Sequence, residues 1–327
     1  MKNTIKYLLF LLLLNFFCLQ DTAAQQTALG NQYLVNDFSL SPAYAGASGH
    51  IETLLSYRKD WVGVSGSPES RMISINGALP KLLNFLPKLP SNMGIGATLL
   101  NEQAGIFRNT SFSLTYAYEL KIATVQLVRL GLSVGILENN MDLTDLITGS
   151  QIDPTVMGAQ DIRKAVFDAS FGALYRFQNL DVGFALPQLM ESNVKDENGT
   201  SLYSLSRHYL IHASYLYALN KDFQLKPFLI ARTTSNSEFM YEMAALVKYQ
   251  KQWMLGLTYR KSSMGISLGG EFYDLIIMNY TYEFAGRGML SKSSGTHEIS
   301  LGFALGKKKD KAPAPSGKKP YYDWIDK

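Results

Sequence analysis

From about residue 50 to residue 306 apolar and polar positions alternate with a period of two. That is the pattern of a strand with one apolar and one polar face. It is clearest over residues 110–122. Phe112, Leu114, Tyr116, Tyr118, Leu120 and Ile122 share one face, and Ser111, Ser113, Thr115, Ala117, Glu119 and Lys121 share the other. The next segment sets Val128, Leu130, Leu132, Val134 and Ile136 against Arg129, Gly131, Ser133 and Gly135. Further segments fall at 50–58, 69–79, 93–102, 167–177, 179–187, 208–219, 223–233, 239–249, 252–260, 263–271, 275–284 and 296–305, fourteen in all. No long stretch carries a helical apolar stripe.

A soluble β-sandwich also alternates, but three features favour a membrane barrel. The segments run to about ten residues, the length of a tilted membrane-crossing strand. The polar faces carry Arg129, Arg176, Lys226, Arg232, Glu242 and Arg260, which suit a wet lumen better than a dry core. Connections alternate in length. Links at 123–124, 178, 220–222, 250–251 and 273–274 are tight, whereas 59–68, 103–109, 138–166, 188–207 and 285–295 are longer. Outer-membrane barrels pair short periplasmic turns with longer external loops. Two links break the alternation: Lys261-Ser262 is a short outer one, and Pro80 to Asn92 a long inner one. The predicted fold is an all-β, transmembrane antiparallel β-barrel of about fourteen strands, within a range of about twelve to sixteen. Leu130, Leu132 and Val134 should face lipid, and an even strand count should leave both termini periplasmic.

The ends of the chain differ from its body. Lys2 and Lys6 precede an almost wholly apolar run from Tyr7 to Leu19, and Thr22-Ala23-Ala24 supplies small residues before Gln25. This reads as a signal peptide over 1–24, since the run is shorter than the ~20 residues of a membrane-spanning helix. The one cysteine, Cys18, lies inside it behind Phe16 and Phe17 rather than small residues, which argues against a lipid anchor. The mature chain would then lack thiol chemistry. Residues 25–49 form an N-terminal periplasmic segment, 50–306 the barrel, and 307–327 a Pro/Lys-rich tail. The net charge of +4 falls to +3 without the two Lys and one Asp of the signal. The tail from Gly306 holds seven Lys and three Asp, so the basic surplus belongs to the tail and offers a periplasmic contact. It does not point to nucleic acid. Within 33–49, Phe38, Leu40, Pro42 and Tyr44 are too apolar for a solvated leader. This segment should pack into or beneath the periplasmic mouth, with Pro42 and Gly46 shaping a turn.

Candidate chemistry is sparse. His208 and His212 are four apart, which on a strand separates them by ~13 Å, and no carboxylate is spaced to complete a metal site. His297-Glu298 reads as polarity at the barrel rim. No phosphate-cradling glycine motif and no nucleophile–base set stands out, so neither an enzyme, a cofactor nor a resident metal is expected. The 26 Gly fall in turns and strands, where a lumen-facing Gly permits tight curvature. The loop holding Lys59, Asp60, Trp61 and Pro68 is the candidate partner contact, because Trp61 beside Gly63 and Gly66 would present a large rigid anchor. The plainer reading of Trp61 is a member of the interfacial aromatic belt, or a lumen plug.

Ser41-Pro42-Ala43-Tyr44-Ala45-Gly46, Tyr57-Arg58-Lys59-Asp60-Trp61-Val62-Gly63 and Gly66-Ser67-Pro68 resemble the opening of the PorP/SprF family of type IX secretion system membrane proteins. Met93-Gly94-Ile95-Gly96, Asn101-Glu102-Gln103-Ala104-Gly105, Tyr116-Ala117-Tyr118 and the closing Ser294-Gly295-Thr296-His297-Glu298-Ile299 continue the resemblance from about Gln32 to Phe303. Ser41 departs from the family's usual Asn, and the Lys-rich tail lies beyond the common pattern. The resemblance implies a non-enzymatic outer-membrane barrel of the Bacteroidetes, seated in lipid. It would work with type IX secretion components in export or surface anchoring of a partner adhesin, as in gliding motility. The alternative from the residues is a general diffusion porin or small-solute channel.

Overall fold

A computed structural model describes residues 30–82, 90–141, 162–191, 193–195, 201–204, 206–234, 237–261, 263–284, 286 and 292–306. The expected signal peptide, the Lys-rich tail and most of the longest loop lie outside them. Fourteen antiparallel strands close into a barrel: β1 Ile51–Lys59, β2 Glu69–Ala78, β3 Met93–Ala104, β4 Phe107–Ala123, β5 Gln126–Met141, β6 Ile162–Phe177 and β7 Leu180–Leu186. They continue as β8 His208–Tyr215 (resumed at Tyr217–Ala218), β9 Phe223–Thr234, β10 Ser237–Tyr249, β11 Trp253–Arg260, β12 Ser263–Phe272, β13 Ile276–Phe284 and β14 Thr296–Leu305. Every strand pairs with its sequence neighbours, and β14 returns to β1 in the register Ile51↔Leu305 to Lys59↔His297. Closure leaves no unpaired edge in lipid. A separate small hairpin, Asn193–Lys195 with Ser201–Ser204, sits in the β7–β8 connection.

The faces follow the sequence parity. Leu130, Leu132, Val134 and Ile136 are exposed on the outer wall, whereas Arg129, Ser133, Arg176, Glu242 and Arg260 are buried on the inner one. One expected loop is absent. Residues 103–109 form no seven-residue link, because β3 and β4 run past the apolar belt and meet at a two-residue turn. Gly105 takes φ 57° there, and Asn101 Nδ2 donates to Thr110 Oγ1 across the extended ladder at 2.8 Å.

The hydrophobic core forms between an inserted segment and the inner wall. Residues 30–49 lie inside the lumen, and Tyr33, Leu34, Phe38, Leu40, Ala43, Tyr44, Ala45 and Ala47 cluster against wall residues such as Leu174, Leu210, Phe228, Ile230 and Leu246. The segment folds as three 3-10 turns, Gln32–Leu34, Asp37–Ser39 and Pro42–Tyr44. Such turns satisfy buried backbone groups locally. The Asn36 side chain caps Phe38 N–H, Ser41 Oγ caps Ala43 N–H, and Pro42 fixes the first position of the third turn. Gly46, at φ 69°, turns the chain where its N–H donates to Asn76 Oδ1 at 3.0 Å.

Of the two expected placements, into or beneath the periplasmic mouth, the segment takes the first and extends well beyond that mouth. The plug reaches from the mouth with the short turns, near Asn76, toward the mouth with the long loops. There Asn31 meets Glu298, two residues into β14. Residues 30 and 31 lie near the long-loop mouth, while β14 ends at the other. Residue 30 and the C-terminal strand end thus lie toward opposite mouths, not the same one.

Leu132→Arg should lower stability by roughly 2–4 kcal/mol for a site near the bilayer midplane. Urea unfolding followed by heat-modifiable gel mobility measures this, and an unaffected midpoint would contradict the outward facing of β5.

Candidate functional site

Two clusters of charge hold the plug in place. The first lies toward the long loops. Arg58 on β1 donates to Glu283 at 2.6 Å, to Glu298 at 3.1 Å and to Asp60 at 2.7 Å. Arg260 on β11 forks onto Glu242 at 2.7 and 3.0 Å and also bonds Glu283 Oε1. Four carboxylates thus surround these two guanidiniums, and the plug supplies neutral donors. Asn31 N–H donates to both oxygens of Glu298 at 3.0 and 2.8 Å, and Asn31 Nδ2 to Glu283 at 2.5 Å. Tyr33 Oη donates to Glu242. Buried charges without such partners would carry a large desolvation penalty.

The second cluster lies toward the short turns. Arg129, fully buried on β5, pairs with Glu119 at 2.7 Å and donates to the carbonyls of Ala43 at 2.9 Å and Ala45 at 2.6 Å. Arg176 forks onto Asp181 at 2.6 and 2.7 Å across the β6–β7 turn. Lys226 grips Asp37 of the plug at 2.7 Å.

Glycines make room for this segment. A Cβ on Gly94 would stand 1.9 Å from the Ala45 carbonyl oxygen, one on Gly131 2.3 Å from the Pro42 carbonyl carbon, and one on Gly172 2.2 Å from Ser41 Oγ. Sequence reasoning assigned lumen-facing glycines to curvature. At these positions the requirement is close approach of the inserted segment, its backbone at Gly94 and Gly131 and the Ser41 side chain at Gly172.

The candidate contact loop divides. Lys59 Nζ donates to the Ser67 carbonyl at 3.2 Å and lies 3.5 Å from Glu69. Asp60 is buried and accepts from Arg58 and from Thr296 Oγ1 at 3.1 Å, while its N–H donates to the Pro68 carbonyl at 2.8 Å. Backbone bonds between Val62 and both Ser294 and Gly295 brace the loop against the chain entering β14. Trp61 takes φ 46° and is 38% exposed at the rim. Lys59, Asp60 and Pro68 thus shape the loop, and Trp61 is what it presents.

The histidines separate likewise. His212 is buried in the lumen with its ring 5.4 Å from that of Tyr44, His208 is half-buried, and His297 bonds Tyr280 Oη at 2.7 Å on the outer wall. Among the described residues no three metal-ligating side chains cluster. Glu298, read as rim polarity, belongs to the lumen network instead. Arg58, Glu119, Glu283 and Asn31 were not singled out from the sequence as site residues. For the strand residues the available signal was parity, since each falls on the same face as Arg129 or Arg260.

Replacing Arg129 by Met should strand the buried Glu119 and cost about 3–5 kcal/mol in unfolding free energy. Gly131→Val should let the barrel assemble but displace the plug. Protease cleavage between residues 35 and 48 should then be rapid in the variant and slow in the parent, and equal rates would show that the plug can shift aside.

Comparison with known proteins locates these features. A family model described as type IX secretion system membrane protein PorP/SprF matches residues 22–303. No curated protein matches. Among solved structures, the toluene transporter TbuX of Ralstonia pickettii is similar at a TM-score of 0.47 and 10% identity, covering 86% of this chain and 94% of that one. The toluene transporter TodX of P. putida gives 0.46 and 8%, covering 85% and 94%. Omp33 of Acinetobacter baumannii gives 0.43 and 7%, covering 79% and 98%.

Proposed function

The chain belongs to the PorP/SprF family of type IX secretion system membrane proteins, and we propose that within that machine it acts as a closed, non-enzymatic barrel. In this role it supports export or surface anchoring of a secreted partner of the adhesin kind. It is an outer-membrane protein, by family and by barrel fold. The observation that carries the proposal is the filled lumen. Residues 30–49 occupy the interior, and wall charges near both mouths hold them. A permanently filled barrel suits a platform better than a diffusion pore.

With the long loops outside the cell, as is usual for such barrels, the presented anchor is Trp61. Its loop is ordered by Lys59, Asp60 and Pro68, so docking a partner there would lose little further loop entropy. β14 ends at the opposite mouth, and the charge of the Lys-rich sequence that follows it would suit contact with acidic surfaces of the machinery.

Two measurements test this reading. In planar bilayers the purified barrel should show no steady conductance, whereas deletion of residues 30–47 should open an ion-conducting lumen. Steady conductance by the intact chain would favour the small-solute channel instead. Trp61→Ala should assemble normally, by heat-modifiable mobility, yet release the secreted partner from the cell surface. Normal assembly with full retention of the partner would remove Trp61 from the contact.

A further inference from the structure

We propose that the outward rim of β1–β6, at the long-loop mouth, binds a phosphorylated, acylated glycolipid of the outer leaflet of the lipid A type. The strand registers bring a row of polar residues together there. Lys59 pairs with Glu69, Glu69 with Gln103, Gln103 with Arg108, Arg108 with Asn140, and Asn140 with Arg163. One step toward the membrane, Tyr57 pairs with Arg71 and Arg71 with Asn101. The next step is wholly apolar: Ile73, Leu99, Phe112, Ile136 and Phe167 are in mutual register and all exposed. A cationic rim therefore sits directly on an acyl-facing wall, over five neighbouring strands.

The cations remain available to a ligand. The Arg71 side chain is 57% exposed and that of Arg163 69%, although each touches one carboxylate, Glu69 and Glu138 respectively. Arg108 Nη2 donates to the neutral Gln103 Oε1 at 3.3 Å. Lys59, Arg71, Arg108 and Arg163 against Glu69 and Glu138 leave a surplus of two positive charges. Arg71, Arg108 and Arg163 stand on alternate strands, about 10 Å apart. That spacing suits a broad headgroup with more than one anionic group, and guanidinium forks match phosphate oxygens. Arg71 also lies over the Tyr57 ring, 5.9 Å from its centroid, which holds the guanidinium at interfacial height. The β11–β14 sector differs. Tyr259, Met264, Tyr282, Phe284 and His297 lie toward its rim, an aromatic border without a matching row of Arg among the described residues.

The test uses the purified full chain in detergent and native mass spectrometry. Phosphorylated lipid A is titrated against phosphatidylglycerol, with Arg71→Gln/Arg108→Gln/Arg163→Gln and Lys261→Gln as variants. The parent and Lys261→Gln should retain lipid A equally, and the triple variant roughly a hundredfold more weakly. Should the triple variant fail to assemble by heat-modifiable mobility, Arg108→Gln decides alone, since it leaves no carboxylate unpaired. Its affinity should drop several-fold, and an unchanged value overturns the site. Equal binding of phosphatidylglycerol, equal weakening by Lys261→Gln, or lipid A binding by the triple variant at the parent's level also overturns it.

Discussion

A closed sheet of fourteen strands encloses more space than its inward side chains fill. The space left over must hold water or further protein chain, and this requirement orders the rest of the molecule. Here the chain's own segment 30–49 takes it up, and the wall is shaped accordingly. Gly94, Gly131 and Gly172 recede where the backbone passes. Arg129 reaches out to two carbonyls, and carboxylates gather where Asn31 offers its donors. The usual globular arrangement is inverted, since the continuous apolar strand faces look outward to lipid and the apolar core forms between the inserted segment and scattered inward wall residues.

The sequence made the wall legible and left the interior obscure, for a physical reason. Alternation is a local property, so Leu130, Leu132 and Val134 declared their face within a few residues, and Arg129 declared the opposite one. Ion pairing is not local. Arg58 and Glu283 lie 225 positions apart and Asn31 and Glu298 267, and nothing in either neighbourhood announces the partner. The apolar content of residues 33–49 indicated a packed segment. How far it extends through the lumen followed only once glycines and charges from across the wall were assembled around it. The link at 103–109 was misjudged because its polar residues resemble a loop, although they belong to strands that outrun the lipid.

Family membership and occlusion fit one another. In a secretion machine an outer-membrane component need not conduct, and a barrel whose lumen holds its own chain can act in lipid as a rigid body. Rigidity matters at the rim as well. The Trp61 loop is fastened to the start of β14 by Asp60 with Thr296 and by Val62 with Ser294 and Gly295. Whatever meets it encounters a preset surface.

The outer anchor of the plug draws on β1, β10, β11, β13 and β14 at once, through Arg58, Glu242, Arg260, Glu283 and Glu298. The seam between the first and last strands runs through this group. None of its carboxylates on β13 and β14 can reach Arg58 until the sheet has curled round on itself. Contacts of such long sequence separation form late and slowly. The inner grip, from Arg129, Lys226 and Asn76, needs only strands made earlier in the chain. Insertion of the wall should therefore proceed around a half-held segment, whose Asn31 end is captured as the cylinder shuts. The seating of Asn31 then marks the completed molecule, and a chain stalled before its last hairpin would have a lumen without that stopper.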